Sequence, residues 1–219
     1  MSKKIGVIQF PGTNCEYDVI KALELSGAIG EIIWHTQKNL FNFDALIIPG
    51  GFAHGDYLRP GAIARFSPVM EAVKEFAKQQ GPILGICNGF QILTEAHLLP
   101  GALQKNVGLK FLCKKAIVEV VTKNSYLTSE LKKNYLELPI NHFAGSYVCS
   151  SSTLKELKDN DQIILRYQNN LNGSLASIAG ICNKDRNVIG LMPHPERACN
   201  KITGELDGLN LFRSFINQL

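Results

Sequence analysis

In the first half of the chain, short apolar runs alternate with amphipathic stretches, and each change of period marks an element. Ile5 to Gln9 is apolar and β-prone, and Phe10-Pro11-Gly12-Thr13-Asn14 follows as a loop. Thr13 and Glu16 stand at capping-box spacing, which predicts a helix from about Cys15 to Leu25 with Tyr17, Ile20 and Leu23 inward and Gly27 ending it. Ile29 to Trp34 reads as a second strand. Ala45-Leu46-Ile47-Ile48 is a third, nearly continuous in apolar character as strands covered on both faces are. Ser67 as N-cap and Pro68 at the first helical position open a helix with Val69, Val73 and Phe76 on one face, closing near Gln80-Gly81. Ile83 to Ile86 is another buried strand, after which Phe90, Leu93 and His97 recur at helical spacing. Three strand-helix alternations imply a parallel α/β sheet.

The pattern changes after Leu99-Pro100-Gly101. Phe111 to Val121 and Tyr135 to Ile140 are strand-like, with Leu136, Leu138 and Ile140 alternating with polar or turn residues, and Thr122 to Glu130 is a polar loop. Thr153 to Lys158 predicts a short helix capped by Thr153 with Glu156. Gln162 to Tyr167 is a strand, Asn169 to Gly173 a turn, and Ile178 to Cys182 with Val188 to Met192 a hairpin across Asn183 to Asn187. A last helix from about Asp207 to Gln218 turns Leu209, Phe212 and Phe215 inward. The expected fold is α/β and three-layer, a mostly parallel sheet with flanking helices and added antiparallel strands, in a single domain over residues 1–219.

Composition narrows the function classes. With 219 residues, 45% of them hydrophobic, the chain has ample material for one core. Its formal charge of +4 comes from 23 basic and 19 acidic residues, with no basic run beyond pairs such as Lys132-Lys133. An extended phosphate-binding face is not indicated, and nucleic acid is not an expected partner. Cys15, Cys87, Cys113, Cys149, Cys182 and Cys199 show neither CxxC nor metal-finger spacing, so no metal is expected. The basic start Met1-Ser2-Lys3-Lys4 leads into a short apolar run that contains Gln9 and ends at Pro11-Gly12, a first strand rather than a secretory signal. No segment has membrane-spanning length. A cytoplasmic protein with reduced thiols and no membrane partner is expected.

Three motifs that follow buried strands carry candidate chemistry. Gly85-Ile86-Cys87-Asn88-Gly89 is the cysteine form of a nucleophile elbow, whose sharp strand-to-helix turn pushes the central side chain out at the top of a sheet. There the N-terminus of the following helix favours an anion, here the thiolate. Pro49-Gly50-Gly51 ends the third strand, and adjacent glycines let the backbone aim its amides at an anion, a candidate oxyanion hole. Met192-Pro193-His194-Pro195-Glu196-Arg197 follows the last strand. Proline fixes its own φ and disfavours helix in the residue before it, so this segment is biased toward an extended form with residues two apart on one side, roughly 7 Å apart. Glu196 can then reach the His194 imidazole, fix its tautomer and support the imidazolium. Each motif also has a plainer reading: a buried structural cysteine, a tight turn, a structural histidine with a solvated carboxylate. Their conjunction at strand carboxyl ends, where the functional crevice of an open α/β sheet lies, favours a Cys-His-Glu triad.

Gly85 to Leu93 together with Pro193-His194-Pro195-Glu196 resembles the class I, or triad, glutamine amidotransferases, which implies a flavodoxin-like sheet. Ile48 to Arg59 and Gly61 to Phe66 are similar to one branch of that family, the glutaminase subunits of phosphoribosylformylglycinamidine synthase of purine synthesis. Pro11-Gly12-Thr13-Asn14-Cys15, Leu99-Pro100-Gly101, Asn172-Gly173-Ser174 and Ile178-Ala179-Gly180 also match, so the resemblance covers nearly the whole length. It implies that Cys87 attacks the side-chain amide of L-glutamine to form a glutamyl thioester. His194 would carry protons to the leaving ammonia and from the deacylating water, with Glu196 orienting it. The N–H groups of Gly51 and Asn88 would hold the oxyanion, Gln91 would help hold the glutamine, and Asn141, His142 and Phe143 would be further substrate contacts. The ammonia is expected to pass to a synthetase subunit that uses ATP and Mg to convert formylglycinamide ribonucleotide to the amidine. A further small subunit is expected in the complex, and no cofactor in this chain. The segment Leu138 to Gly145 departs from the family: it keeps His142 but has Phe143 and Ala144 where a glycine and a glutamate are usual, and His54 stands for a usual tyrosine. A cysteine peptidase or deglycase on a similar sheet, and a binding subunit without catalysis, are the alternatives.

Overall fold

Ile5, Val7, Ile8, Leu46, Ile47, Ile48, Ile83, Leu84, Ile86, Val188, Ile189 and Leu191 expose no surface, so their strands lie within a sheet covered on both faces. The computed structural model describes residues 2–202 and 204–219; Met1 of the basic start lies outside the described residues. In chain order the elements are β1 (Lys4–Gln9), α1 (Glu16–Leu25), β2 (Ile29–Trp34), β3 (Ala45–Ile48), α2 (Pro68–Lys78), β4 (Ile83–Ile86), α3 (Asn88–Glu95) and β5 (Ala102–Gln104). β6 (Leu112–Val120), β7 (Tyr135–His142), β8 (Ser146–Val148), α4 (Ser151–Asp159), β9 (Ile163–Tyr167), β10 (Ile178–Cys182), β11 (Val188–Leu191) and α5 (Asp207–Asn217) follow.

A nine-stranded sheet has the order β2-β1-β3-β4-β11-β10-β9-β6-β7, and β5 pairs with β8 in a separate ribbon. The strands from β2 to β11 in that order pair in parallel. The joins from β11 onward are antiparallel. Followed across the sheet, these senses leave only β10 and β6 running against the others. The sheet is therefore mostly parallel.

Registers show which helix covers which face. Gly30 pairs with Ile5 and Ile5 with Ala45, whereas Gly85 pairs with Ile48. Ala45 and Ile48 are three apart on one strand and point to opposite faces, so Gly30 and Gly85 do too. A Cβ at Gly30 would meet Ile20 Cδ1 of α1 at 2.6 Å, and one at Gly85 would meet Leu93 Cδ1 of α3 at 2.5 Å. Helices α1 and α3 thus lie on opposite faces, giving the three expected layers, and α5 packs beside α1.

Local expectations fail where a side chain finds a better partner. Thr13 and Glu16 make no capping box: Thr13 Oγ1 accepts from the Phe10 N–H at 3.0 Å, and Glu16 Oε1 accepts from Gln9 Nε2 at 2.6 Å. Cys15 becomes the N-cap residue of α1, and Tyr17 is 71% exposed while Val19, Ala22 and Leu23 turn inward. Ser67 stands at the N-cap of α2, but its hydroxyl bonds His54 Nε2 at 3.1 Å instead of the helix. Ser150 caps α4 by accepting from the Thr153 N–H at 3.1 Å, so the helix starts earlier than Thr153. His97 lies beyond α3 at φ 58°, exposed. The loop 122–130 is polar overall, yet it buries Leu127 completely.

At Gly89 helix α3 lies so close to the sheet that a Cβ would sit 1.9 Å from the Ile48 carbonyl oxygen. Gly89→Ala must push α3 off β3, and overpacking of this kind typically costs about 1–3 kcal/mol. Urea unfolding of that variant is expected to show a lower midpoint by a corresponding amount.

Candidate active site

Strand β4 delivers the chain to Cys87, the N-cap residue of α3, at φ 49° and ψ −103°. Positive φ is uncommon for an L residue. Here it is enforced from both sides: the Cys87 N–H donates to the Leu191 carbonyl of β11 at 2.8 Å, and its own carbonyl accepts from Gln91 at 3.1 Å as the helix begins. The thiol lies 3.8 Å from the Asn141 carbonyl oxygen.

His194 follows β11, the neighbour of β4, and the pairing of Leu191 with Ile86 puts the two strand ends side by side. Its N–H donates to the Pro139 carbonyl at 2.8 Å, which brings β7, the far edge of the sheet, over the same end. The expected extended segment is instead a short 3-10 turn over Pro195–Arg197, since the fixed φ of Pro195 suits the first position of a helical turn. Glu196 still reaches His194: Nδ1 and Oε1 are 2.5 Å apart, with the side chains 2% and 0% exposed. Burial by itself would lower the His194 pKa. The Glu196 carboxylate, then the Cys87 and Cys15 sulfurs, outweigh burial and hold it well above the ordinary histidine value. His194 Nε2 is buried without a hydrogen-bond partner among the described residues.

Cys15, which local pattern does not single out, faces the same histidine. Its sulfur, a ring nitrogen of His194 and an oxygen of Glu196 lie within 4.8 Å of one another. Asn14 Oδ1 accepts from the thiol at 3.2 Å, and Arg197 Nη2 donates to the sulfur at 3.2 Å. These residue types could hold a metal ion. His194 Nδ1 and Glu196 Oε1 already bond each other, however, which makes the group an oriented base beside two thiols.

Two backbone amides border the site. Thr13 and Gly51 form an antiparallel bridge whose bonds run through their neighbours, Phe52 N–H to Gly12 at 3.0 Å and Asn14 N–H to Gly50 at 3.5 Å. The Gly51 N–H therefore points away from the bridge. At φ 146°, with a Cβ position 2.7 Å from the Asn14 nitrogen, only glycine fits there. Asn88 opens α3, and an N–H of a first helical turn has no intrahelical acceptor. The Asn88 side chain ties the turn Ala53–Asp56 to α3: Oδ1 accepts from Ala53 N–H at 3.0 Å, and Nδ2 donates to Asp56 Oδ1 at 3.2 Å and Gln91 Oε1 at 2.8 Å. Gln91 Nε2 in turn donates to the Ala144 carbonyl at 2.5 Å.

A cavity of about 730 Å³ opens over these groups. Gly51, Cys87, Gln91, Asn141, His142, Phe143 and His194 are on its wall, and Asn88 and Glu196 stand behind it. Cys15, Asp56, Arg59 and Lys105 line it as well, none of them expected from the sequence as site residues. Burial, then the nearby His194, lowers the His142 pKa to about 4, so this imidazole is neutral, its Nδ1 3.0 Å from Asn106 Oδ1. Asn106 also donates to the carbonyls of His142 and Phe143, at 2.8 Å each, which leaves the Asn141 carbonyl turned to Cys87. Among the described residues no helix is long and apolar enough to cross a membrane.

Comparison with known proteins agrees with this geometry. The CobB/CobQ-like glutamine amidotransferase domain family matches residues 2–208. A phosphoribosylformylglycinamidine synthase subunit PurQ of Koribacter versatilis is 50% identical, over 99% of this chain and 98% of its own length. The subunit of that name from Wolinella succinogenes is 51% identical, over 95% of this chain and 97% of its own. A chain in the structure of PurLQS from Thermotoga maritima superposes with a TM-score of 0.93 at 38% identity, covering 100% of this chain and 99% of that one. A glutamine amidotransferase of the same organism, at 14% identity and a TM-score of 0.67 over 100% of this chain and 98% of that one, shares the fold. The chain therefore belongs to the CobB/CobQ-like glutamine amidotransferase domain family.

Proposed function

We propose that this chain, acting as one domain, is the glutaminase subunit of a phosphoribosylformylglycinamidine synthase and hydrolyses L-glutamine through Cys87, His194 and Glu196. The observation that carries the catalytic assignment is the buried His194–Glu196 pair, 2.5 Å apart, beside a thiol held at a strained strand-to-helix turn. The Cys87 thiolate attacks the side-chain amide carbon. The N–H groups of Gly51 and Asn88 receive the oxyanion, and loss of one such donor typically costs about 10²–10³ in rate. With Nδ1 bound to Glu196, His194 has Nε2 free to protonate the departing ammonia, leaving a glutamyl thioester on Cys87. The same nitrogen then takes a proton from the water that releases glutamate. Gln91 and the segment Asn141, His142 and Phe143 shape the glutamine pocket. Cys15 is also an N-cap residue, but its sulfur is engaged by Arg197 and Asn14 and its N–H donates to the Gly50 carbonyl at 3.2 Å. These ties favour Cys87 as nucleophile.

Likeness to subunits named PurQ and to a chain of PurLQS supports the wider role. In that role the ammonia feeds a synthetase subunit that consumes ATP with Mg and formylglycinamide ribonucleotide in the cytoplasm. A small third subunit completes the complex, and this chain needs no cofactor of its own.

Glutamate release from L-glutamine, assayed with and without the synthetase and small subunits, ATP, Mg and formylglycinamide ribonucleotide, tests the proposal. Release is expected to rise strongly in the full complex. Cys87→Ala is expected to lose about 10⁴-fold or more, as removal of a triad nucleophile does, whereas Cys15→Ala stays within about tenfold of wild type; the reverse pattern would move the nucleophile to Cys15. Glu196→Gln is expected to lose about 10²–10⁴-fold and to remove the pH-dependent stability that the raised His194 pKa contributes. A histidine pKa raised on folding contributes stability that is fully present below the unfolded value near 6.5 and fades as pH rises through the folded value. The stability gap between wild type and Glu196→Gln should therefore be widest at acid pH and shrink in alkali, which urea unfolding at two pH values would measure.

A further inference from the structure

The triad chemistry makes no use of Asp56, yet its side chain is on the cavity wall. The residue ends the short turn Ala53–Asp56, in which His54, Gly55 and Asp56 have φ of 53°, 70° and 53°, and Leu58 follows at 67°. Left-handed backbone at non-glycine residues such as His54, Asp56 and Leu58 is strained and persists only where the surroundings enforce it. Asn88, next to Cys87, does so by accepting from the Ala53 N–H and donating to Asp56 Oδ1. The elbow thereby fixes this carboxylate in place.

That carboxylate has no cation of its own. No ion pair to Asp56 occurs among the described residues, and Arg59, close in sequence and on the same wall, is bound bidentately to Glu95 at 2.6 and 2.7 Å. Partial burial raises the Asp56 pKa to about 6, and the Asn88 hydrogen bond lowers it less. A carboxylate drawn out of water beside a neutral amide carries a free-energy cost that an incoming cation would relieve.

L-glutamine brings such a cation. Its reacting amide and its α-ammonium are at opposite ends, so with the amide at Cys87 the α-end must occupy the rest of the cavity. Asp56 is the sole acid on that wall among the described residues, and Lys105 on the same wall adds positive charge suited to the α-carboxylate. We propose that Asp56 is the counter-ion of the substrate α-ammonium and selects α-amino acid amides over amides that lack the amino group. The assignment rests on the glutaminase reading and deepens it.

Asp56→Asn tests this with little disturbance: it removes the charge, keeps an oxygen to accept from Asn88, and asparagine is among the L residues that best tolerate left-handed φ. In the assembled complex, kcat and KM are measured for L-glutamine, and turnover or inhibition constant for glutaramate, its analogue without the amino group. Losing a charge-assisted hydrogen bond predicts a KM for L-glutamine about 10–100-fold higher with kcat within about threefold, and glutaramate changed by less than about threefold. Asp56→Glu should recover part of the L-glutamine loss. An equal loss on both compounds, or an unchanged KM for L-glutamine, overturns the assignment. Wild-type complex that releases no glutamate from L-glutamine would instead overturn the glutaminase reading, and the Asp56 assignment with it.

Discussion

The contact between α3 and the carboxyl ends of β3 and β4 is the constraint on which the site depends. Gly89 lies against the Ile48 carbonyl, and Gly85 faces Leu93. With no side chain at either glycine, the helix can start immediately after β4, and the chain must turn through one residue, Cys87, at positive φ. A looser packing would lengthen that turn and let the thiol relax into the core. Because β3 ends beside β4, the same contact sets the distance between the elbow and the Pro49-Gly50-Gly51 turn. The Asn88 side chain then fastens the 53–56 segment to the first turn of the helix.

Two histidines share this cavity and are held in opposite states. His194 has a carboxylate within hydrogen-bonding reach and two sulfurs nearby, so its imidazolium is favoured despite complete burial. Among the described residues His142 has only the Asn106 amide as a side-chain partner, and burial together with the charge on His194 keeps it neutral. Environments that push like groups apart are how a site obtains a proton carrier and a neutral neighbour from one residue type. The cost is a buried ion pair with an oxygen, Glu196 Oε2, that has no hydrogen-bond partner among the described residues. Such a pair is poor stabilisation for a core, and its placement fits chemistry better than packing.

Much of the framework was legible in the chain itself. The strands Ala45–Ile48 and Ile178–Cys182 match their apolar runs residue for residue, since strands covered on both faces leave no room for polar interruption, and the edge strand Ile29–Trp34 keeps its bounds although it carries Glu31 and is largely exposed. The helix starts were legible as positions and less so as bonds. Ser67 and Thr13 stand near the expected places, but their hydroxyls went to His54 and to the Phe10 amide. Hydroxyl side chains choose among several nearby donors and acceptors, and tertiary neighbours decide the choice.

By itself the sequence determined the elbow and the di-glycine turn, because each is written in consecutive residues whose backbone preferences are local, and the two-residue spacing that lets Glu196 reach His194, though the backbone there is a 3-10 turn and not extended. Tertiary structure alone decided that Cys15 faces His194 and that Arg197 holds its sulfur. Those residues are 182 positions apart in the bond that joins them, and their loops meet only because β1 and β11 end on the same side of the sheet. It also decided that β7, at the sheet's far edge, reaches the site through the Pro139 carbonyl, and that Asp56 lines the cavity. Side-chain direction in a turn of left-handed residues follows from what packs against it, and no periodicity along the chain records that.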